Sequence, residues 1–323
     1  MVAVIGAGSW GTTLAAVAAG KGEKVRLWAR NPNVVSYMQA EGHNPRYVPD
    51  LNFPDSLKPT ADLKEGLAGE DVVIHAVPSH ATRETARLYA KHLAPEATIV
   101  SATKGLETPS HKRMSQVIAE ETGHPVAALT GPNHAEEVSV GQPTAAVLAH
   151  PEVYEATSLA DLLTTPTFKV YPRRDLVGVE LCGAYKNVAA LAAGMADGLG
   201  WGDNCVACIV TLGVDEMVDV VRAMGGDPRT PHGLAGVGDL VATATSKHSR
   251  NRFYGRELAR GVPTDLIKRK MHGMVAEGVH ATKAFYQYAE DADLALPLTR
   301  VVHSVVYHGV SVMDGVKDLL SRV

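Results

Sequence analysis

Apolar and polar positions follow two different periods along the first half of the chain. Short β-branched runs at 2–5, 24–29, 71–77, 98–102, 126–129 and 144–149 read as buried strands. Helices are predicted between them at 12–19, 31–41, 80–93 and 112–122. Strand and helix in alternation imply an α/β fold with a doubly wound, mainly parallel sheet, in which ligands collect at the carboxyl ends of strands. Pro45, Pro49, Pro54 and Pro59 punctuate the stretch after the second helix, which reads as loop. Beyond residue 172 the strand pattern stops, and long Ala/Gly/Val/Leu stretches with helix caps take over. Helices are predicted there at 176–195, at 204–224 and from a Ser249 cap to a stop at Gly261. Two domains are expected, an α/β one over 1–172 and an all-helical one over 173–323.

The first strand runs straight into glycines at the G-x-G-x-x-G spacing: Gly6, Gly8 and Gly11, with Ser9 and Trp10 between them. Gly6 allows the sharp turn, Gly8 the approach of a pyrophosphate, and Gly11 the close packing of the next helix. The helix N-terminus, with unpaired N–H groups and a favourable dipole, suits that anion. This context makes the first domain a Rossmann-type dinucleotide-binding domain. An NAD-selective site carries Asp or Glu about 20 residues further on, for the ribose hydroxyls. Here the second strand ends Ala29-Arg30-Asn31, with no carboxylate, and Arg30 is suited to a 2′-phosphate. NADP(H) is the favoured cofactor, with NAD(H) as the other possibility.

Composition narrows the classes. The chain's 323 residues suffice for two domains, and aromatic residues make up only 5%. A net charge of −4 and the lack of a long basic run exclude a general nucleic-acid binder, so a small-molecule partner is expected. Cys182, Cys205 and Cys208 lack a second ligand pair, and Cys205-x-x-Cys208 in an apolar helix reads as buried thiols, so no metal is expected. No apolar stretch reads as membrane-spanning and the chain opens in a strand without a leader, so a cytoplasmic location is expected.

The helical half supplies candidate chemistry. Lys186 lies mid-helix in a stretch that is apolar or small on nearly every face, its only polar companions being Glu180 and Asn187. A lysine there needs a charged partner or a purpose, and Cys182, Gly183, Ala189 and Ala190 one turn away leave room for a substrate. Asp239 follows the glycine-dense 232–238 stretch, and it suits either a bond to Lys186 or substrate, or a helix start. Ser249, Arg250 and Asn251 place a hydroxyl, a guanidinium and an amide at a helix start, a set suited to phosphate.

Five motifs together resemble the bacterial NAD(P)-dependent glycerol-3-phosphate dehydrogenase family over nearly the whole chain: GAGSWGTTLA at 6–15, SATKGLE at 101–107, LCGAYKNVAALAAGMADGLG at 181–200, GLAGVGDLVATATSKHSRNRFYG at 233–255 and VAEGVHATKAF at 275–285. The resemblance implies reversible reduction of dihydroxyacetone phosphate to sn-glycerol 3-phosphate, which feeds glycerophospholipid synthesis. It puts the proton donor/acceptor at Lys186, with Lys104 and Asp239 as further catalytic residues. Substrate contacts fall on Lys104, Gly131, Asn133, Lys186, Asp239, Ser249, Arg250 and Asn251. Cofactor contacts fall on Ser9, Trp10, Arg30, Tyr47, Lys104, Ala135, Arg250, Val275 and Glu277, beside the glycines. A homodimer is the expected assembly. The family usually reads Gly-Pro-Ser/Thr-Phe-Ala where this chain has Gly131-Pro132-Asn133-His134-Ala135, so an amide replaces a hydroxyl and an imidazole a phenyl ring.

Two other readings share parts of this pattern. Another two-domain dehydrogenase, for a 3-hydroxy acid or ketopantoate, would keep the glycines and a helical lysine without the Arg250–Asn251 corner. A non-catalytic nucleotide sensor would have no use for Lys186 or Lys104.

Overall fold

The computed structural model describes residues 1–271 and 274–321. The chain forms two compact units, Met1–Thr103 with Met114–Leu176, and Lys104–Arg113 with Val177–Val323. The Lys104–Arg113 segment therefore groups with the helical unit, although its sequence neighbours on both sides belong to the sheet.

The first unit holds ten strands: β1 (Val2–Ile5), β2 (Val25–Trp28), β3 (His43–Asn44), β4 (Val48–Asn52), β5 (Leu57–Thr60), β6 (Val72–His75), β7 (Thr98–Ser101), β8 (Val126–Thr130), β9 (Thr144–Ala149) and β10 (Phe168–Arg173). Its helices are α1 (Ser9–Gly20), α2 (Pro32–Glu41), α3 (Leu63–Gly66), α4 (Thr82–Ala90), α5 (Met114–Thr122), α6 (Ala135–Val138) and α7 (Val153–Leu163). Eight strands make one sheet in the order β10-β9-β8-β7-β6-β1-β2-β5, and β3 and β4 form a separate antiparallel pair. Every pairing in the large sheet is parallel except β8 with β9. Residues alternate between two cores, as the strand period demands: Val2 and Val4 join Leu14, Leu27 and Ile74 in one, while Ala3 and Ile5 join Val73, Tyr89 and Ile99 in the other. Strand order reverses at β1 and β6, the switch point where doubly wound sheets open a crevice for ligands.

Two features of this unit depart from the sequence reading. The proline-punctuated stretch is not plain loop, since β4 contains Pro49 and β5 contains Pro59. Proline is compatible with β5 because that strand lies at the sheet's edge. The predicted elements also stop at residue 149, whereas α7 and β10 follow and extend the sheet.

The second unit holds α8 (Leu176–Gly198), α9 (Asp203–Ala223), α10 (Asp239–Thr245), α11 (Arg250–Ala259), α12 (Thr264–Lys270), α13 (Glu277–Asp291), α14 (Pro297–His308) and α15 (Val312–Ser321). Buried α8 is the axis, and small residues let its neighbours come within backbone contact. A Cβ on Gly194 would lie 2.1 Å from the Arg252 carbonyl oxygen, and one on Gly255 2.1 Å from that of Leu191, so α8 and α11 cross at glycines. At Gly278, an added Cβ would lie 2.5 Å from the Asn187 carbonyl oxygen, so the start of α13 also packs closely on α8. Contrary to the sequence reading, α8 is long and apolar enough to cross a membrane, yet 89% of its most apolar window is buried inside the protein, so it is a core helix. The cysteines also depart from expectation. Cys182 is buried, but Cys205 is half-buried and Cys208 exposed, because the first half of α9 lies at the unit's surface.

Candidate active site

In the first unit the glycine turn is built as the spacing requires. Gly6 has φ +110°, and a Cβ there would lie 2.5 Å from the Ala76 carbonyl oxygen just beyond β6. A Cβ on Gly11 would overlap the Gly6 carbonyl oxygen at 1.9 Å, so only glycine lets α1 start this close to the strand. Gly8 faces open space instead, and it caps α1 in extended conformation without a side-chain acceptor. The first turn of α1, which contains Ser9, Trp10 and Gly11, carries no acidic residue. These features fit a dinucleotide pyrophosphate over Gly8, on the donors of α1. Trp10 meets Phe168 edge-on at 6.1 Å, and its buried Nε1 has no hydrogen-bond partner among the described residues.

At the end of β2, Arg30 is exposed, and the residue after it is an amide, not a carboxylate: Asn31 is engaged in capping α2 by accepting from the Asn33 N–H. Tyr47 is half-buried, with the Arg46 guanidinium 5.3 Å from its ring centre. Gly131 has φ +139°, and a Cβ there would lie 2.9 Å from the Ala146 Cα, so the turn after β8 requires glycine. Buried Asn133 follows it, and Ala135 opens α6.

The second unit brings together three charged groups that lie far apart in sequence. Lys186 comes from α8 and Asp239 from the first position of α10, after a π turn at Leu234–Gly238. Lys104 opens the Lys104–Arg113 segment. Asp239 stands between the two amines, with Oδ2 2.7 Å from Lys104 Nζ and Oδ1 3.0 Å from Lys186 Nζ. Lys186 also donates to Thr243 Oγ1 at 2.6 Å, and Thr243 in turn donates to the Asp239 carbonyl oxygen at 2.7 Å. An ammonium has three N–H bonds, so one on Lys186 is left over among the described residues.

Electrostatics tune this cluster. Burial lowers the Lys186 pKa to about 8; Asp239 pulls it back up, and the Lys104 charge and, less, Arg250 push it down. Burial works against the Asp239 charge, but Lys104 and Lys186 outweigh it and hold the carboxyl below its ordinary range. The site thus holds a permanent carboxylate beside an amine poised to exchange a proton near neutral pH.

Ser249 caps α11, its Oγ accepting from the Arg252 N–H at 3.1 Å, and Arg250 is the exposed first residue of that helix. Asn251 is buried and engaged in packing: it donates to Asn187 Oδ1 at 2.8 Å and accepts from the Gly278 N–H at 2.9 Å, joining α11 to α8 and α13. Glu277 starts α13, and half-buried Val275 lies two residues before it.

Sequence reasoning overlooked three participants. Thr243 was legible from its place one turn after Asp239, where i and i+4 share a helix face. Asn187 stood out as a polar residue but had no assigned partner. Asn44 lay in the presumed loop, yet it is buried beside the glycine turn and donates to the Ala7 carbonyl oxygen at 3.0 Å and to Thr12 Oγ1 at 2.9 Å.

Comparison with known proteins is consistent along the whole chain. The family model described as NAD-dependent glycerol-3-phosphate dehydrogenase N-terminus matches residues 1–156, and its C-terminal counterpart matches residues 175–317. The glycerol-3-phosphate dehydrogenase [NAD(P)+] of Chlorobium limicola is 43% identical, with 99% of this chain and 97% of that protein covered. That of Moorella thermoacetica is 44% identical over 99% and 96%. The crystal structure of glycerol-3-phosphate dehydrogenase from Coxiella burnetii, 40% identical, superposes with a TM-score of 0.95 over 99% of this chain and 98% of that one. The chain belongs to the NAD-dependent glycerol-3-phosphate dehydrogenase family.

Proposed function

We propose that this chain catalyses the reversible, NAD(P)H-dependent reduction of dihydroxyacetone phosphate to sn-glycerol 3-phosphate, the glycerol backbone of phospholipids. One observation carries the mechanism: a buried lysine with a pKa of about 8, held by Asp239 and Thr243 and keeping one N–H free. The bound dinucleotide supplies the hydride. Lys186 hydrogen-bonds the C2 oxygen, stabilises the negative charge that develops there and donates the proton; in the reverse direction it accepts that proton. Asp239 keeps the two ammonium groups together, and Lys104 adds positive charge beside the same oxygen. Arg250, at the start of α11, holds the substrate phosphate, whose binding orients the ketone. Ser249 fixes that helix start, while Asn251 holds α11 against α8.

Gly6, Gly8, Ser9, Trp10 and Gly11 would hold the pyrophosphate, and Arg30 the 2′-phosphate of NADP(H), so NADPH is the preferred reductant. Family likeness adds Tyr47, Lys104, Ala135, Arg250, Val275 and Glu277 around the dinucleotide, and Gly131 and Asn133 near the substrate. Cytoplasmic location and a homodimer complete the reading. The ketopantoate-type alternative does not account for Arg250, and a nucleotide sensor does not account for the lysine pair. The experiment is NADPH and NADH oxidation by the purified protein, followed separately with dihydroxyacetone phosphate, unphosphorylated dihydroxyacetone and ketopantoate. Fast turnover confined to the phosphorylated ketone, with NADPH preferred, is expected. Turnover of ketopantoate alone, or of none of the three, would overturn the assignment.

A further inference from the structure

The Lys104–Arg113 segment leaves the sheet unit, packs with the helical unit and returns. It closes on itself as Leu106 pairs antiparallel with Arg113, the Glu107 N–H donates to the Lys112 carbonyl oxygen at 2.9 Å, and the His111 N–H to that of Glu107 at 2.9 Å. Lys104, which meets Asp239, therefore stands two residues from the position opposite Arg113. The Arg113 guanidinium donates to the Glu180 carboxylate on α8, with side chains only 13% and 5% exposed. Glu180 precedes Lys186 by six residues, about 9 Å along the helix axis. At the tip, His111 Nε2 lies 3.0 Å from Asp291 Oδ2, but that aspartate is 73% exposed, so water weakens the contact.

We infer that Arg113 and Glu180 are positioning residues for the reaction: their buried ion pair fixes the Lys104–Arg113 segment to the helix that carries Lys186, and so holds Lys104 against Asp239. This rests on the role given above to Lys104. The pair closes a ring of contacts: α8 carries Glu180 and Lys186, Glu180 holds Arg113, Arg113 holds the segment, and the segment returns Lys104 to the carboxylate that also holds Lys186. An unpaired charge at Arg113 or Glu180 would be costly in this buried place, which favours the closed arrangement over an open one. The charged groups that act most strongly on Lys186 are Asp239, Lys104 and Arg250. Lys104 lowers the Lys186 pKa, so displacing it moves that pKa up.

The test combines R113M, E180Q and K104M, with R113M also built in the K104M background, in full-length protein. The readouts are kcat, KM for both substrates, the pH profile of ketone reduction, and the thermal midpoint. R113M is expected to lower kcat by about tenfold at nearly constant cofactor KM, and to move the basic limb of the profile upward, in the same direction as K104M. Added to K104M, it should change kcat by less than about twofold, since there is no Lys104 left to position. E180Q, which keeps shape and loses charge, should act in the same direction more weakly, and it carries the test if R113M does not fold. The same loss in both backgrounds, or a lowered thermal midpoint with an unmoved pH limb, would make the pair merely structural and overturn the inference alone. A K104M enzyme with wild-type kcat and profile would overturn the role of Lys104, and the inference with it.

Discussion

Replacing Asp239 with asparagine keeps the side chain's shape and removes the one negative charge between two ammonium groups. Its Oδ1 lies 3.0 Å from Lys186 Nζ. At an effective dielectric constant of about 20, a contact of that length is worth about 5 kcal/mol, or about four pKa units. The asparagine oxygen still accepts a hydrogen bond, so the expected fall is smaller, about two units or more. Lys104 acts in the same direction, because its positive charge also lowers the Lys186 pKa. Lys186 would drop from about 8 to about 6 or below. At pH 7.5 its protonated fraction falls from about three quarters to about 3%, so reduction should slow by about 25-fold from protonation alone. The assay is NADPH oxidation with saturating dihydroxyacetone phosphate between pH 5.5 and 9. In Asp239→Asn the basic limb should move down by about two units, with partial recovery of rate at the acid end. A basic limb that stays near pH 8 with undiminished rate would refute the reasoning, because Asp239 would then not govern the lysine.

Further predictions follow from the same groups. The two directions of the reaction should show opposite pH limbs: reduction needs protonated Lys186 and falls as pH rises through about 8, whereas oxidation of glycerol 3-phosphate needs the neutral amine and rises there; parallel initial-rate profiles check this. Arg30→Ala should weaken NADPH more than NADH in a fluorescence titration, since only NADPH carries the 2′-phosphate, and equal losses would show that Arg30 is not selective. Arg250→Ala should lower kcat/KM for dihydroxyacetone phosphate by about 30- to 500-fold and leave unphosphorylated dihydroxyacetone nearly unchanged. Equal losses for both ketones would place the phosphate site elsewhere.

The parts of the fold legible in the sequence are those where local pattern and tertiary setting agree. The β-branched run at Val2–Ile5 is buried on both faces, so its composition announces it, and the glycines after it are required by contacts of 2.5 Å and 1.9 Å that a side chain could not survive. Lys186 was legible because a charge amid small apolar residues is costly without a partner. By contrast, β5 was hidden by Pro59, which an edge position tolerates. Cys205 and Cys208 were misread because an apolar run fixes a helix but does not say which part of it is covered. The place of Lys104 beside Asp239 was unreadable from periodicity, because the contact spans 135 residues and depends on a segment that leaves one unit for the other. The motif around Lys104 pointed to the site but not to that partner. Asn44 was missed for a related reason, since its partners lie 37 and 32 residues away.

The central claim is that Lys186 transfers the proton during reduction of dihydroxyacetone phosphate, and its most direct test is Lys186→Ala, with kcat for that ketone and Kd for NADPH measured on one preparation. On the proposed mechanism the alanine variant loses an interaction made with developing charge on the substrate oxygen, while the glycine turn proposed to hold the dinucleotide is untouched. Turnover should therefore fall by about a hundredfold or more, with the NADPH Kd within about threefold of the parent. Turnover within about threefold of the parent, at an unchanged Kd, would contradict the account.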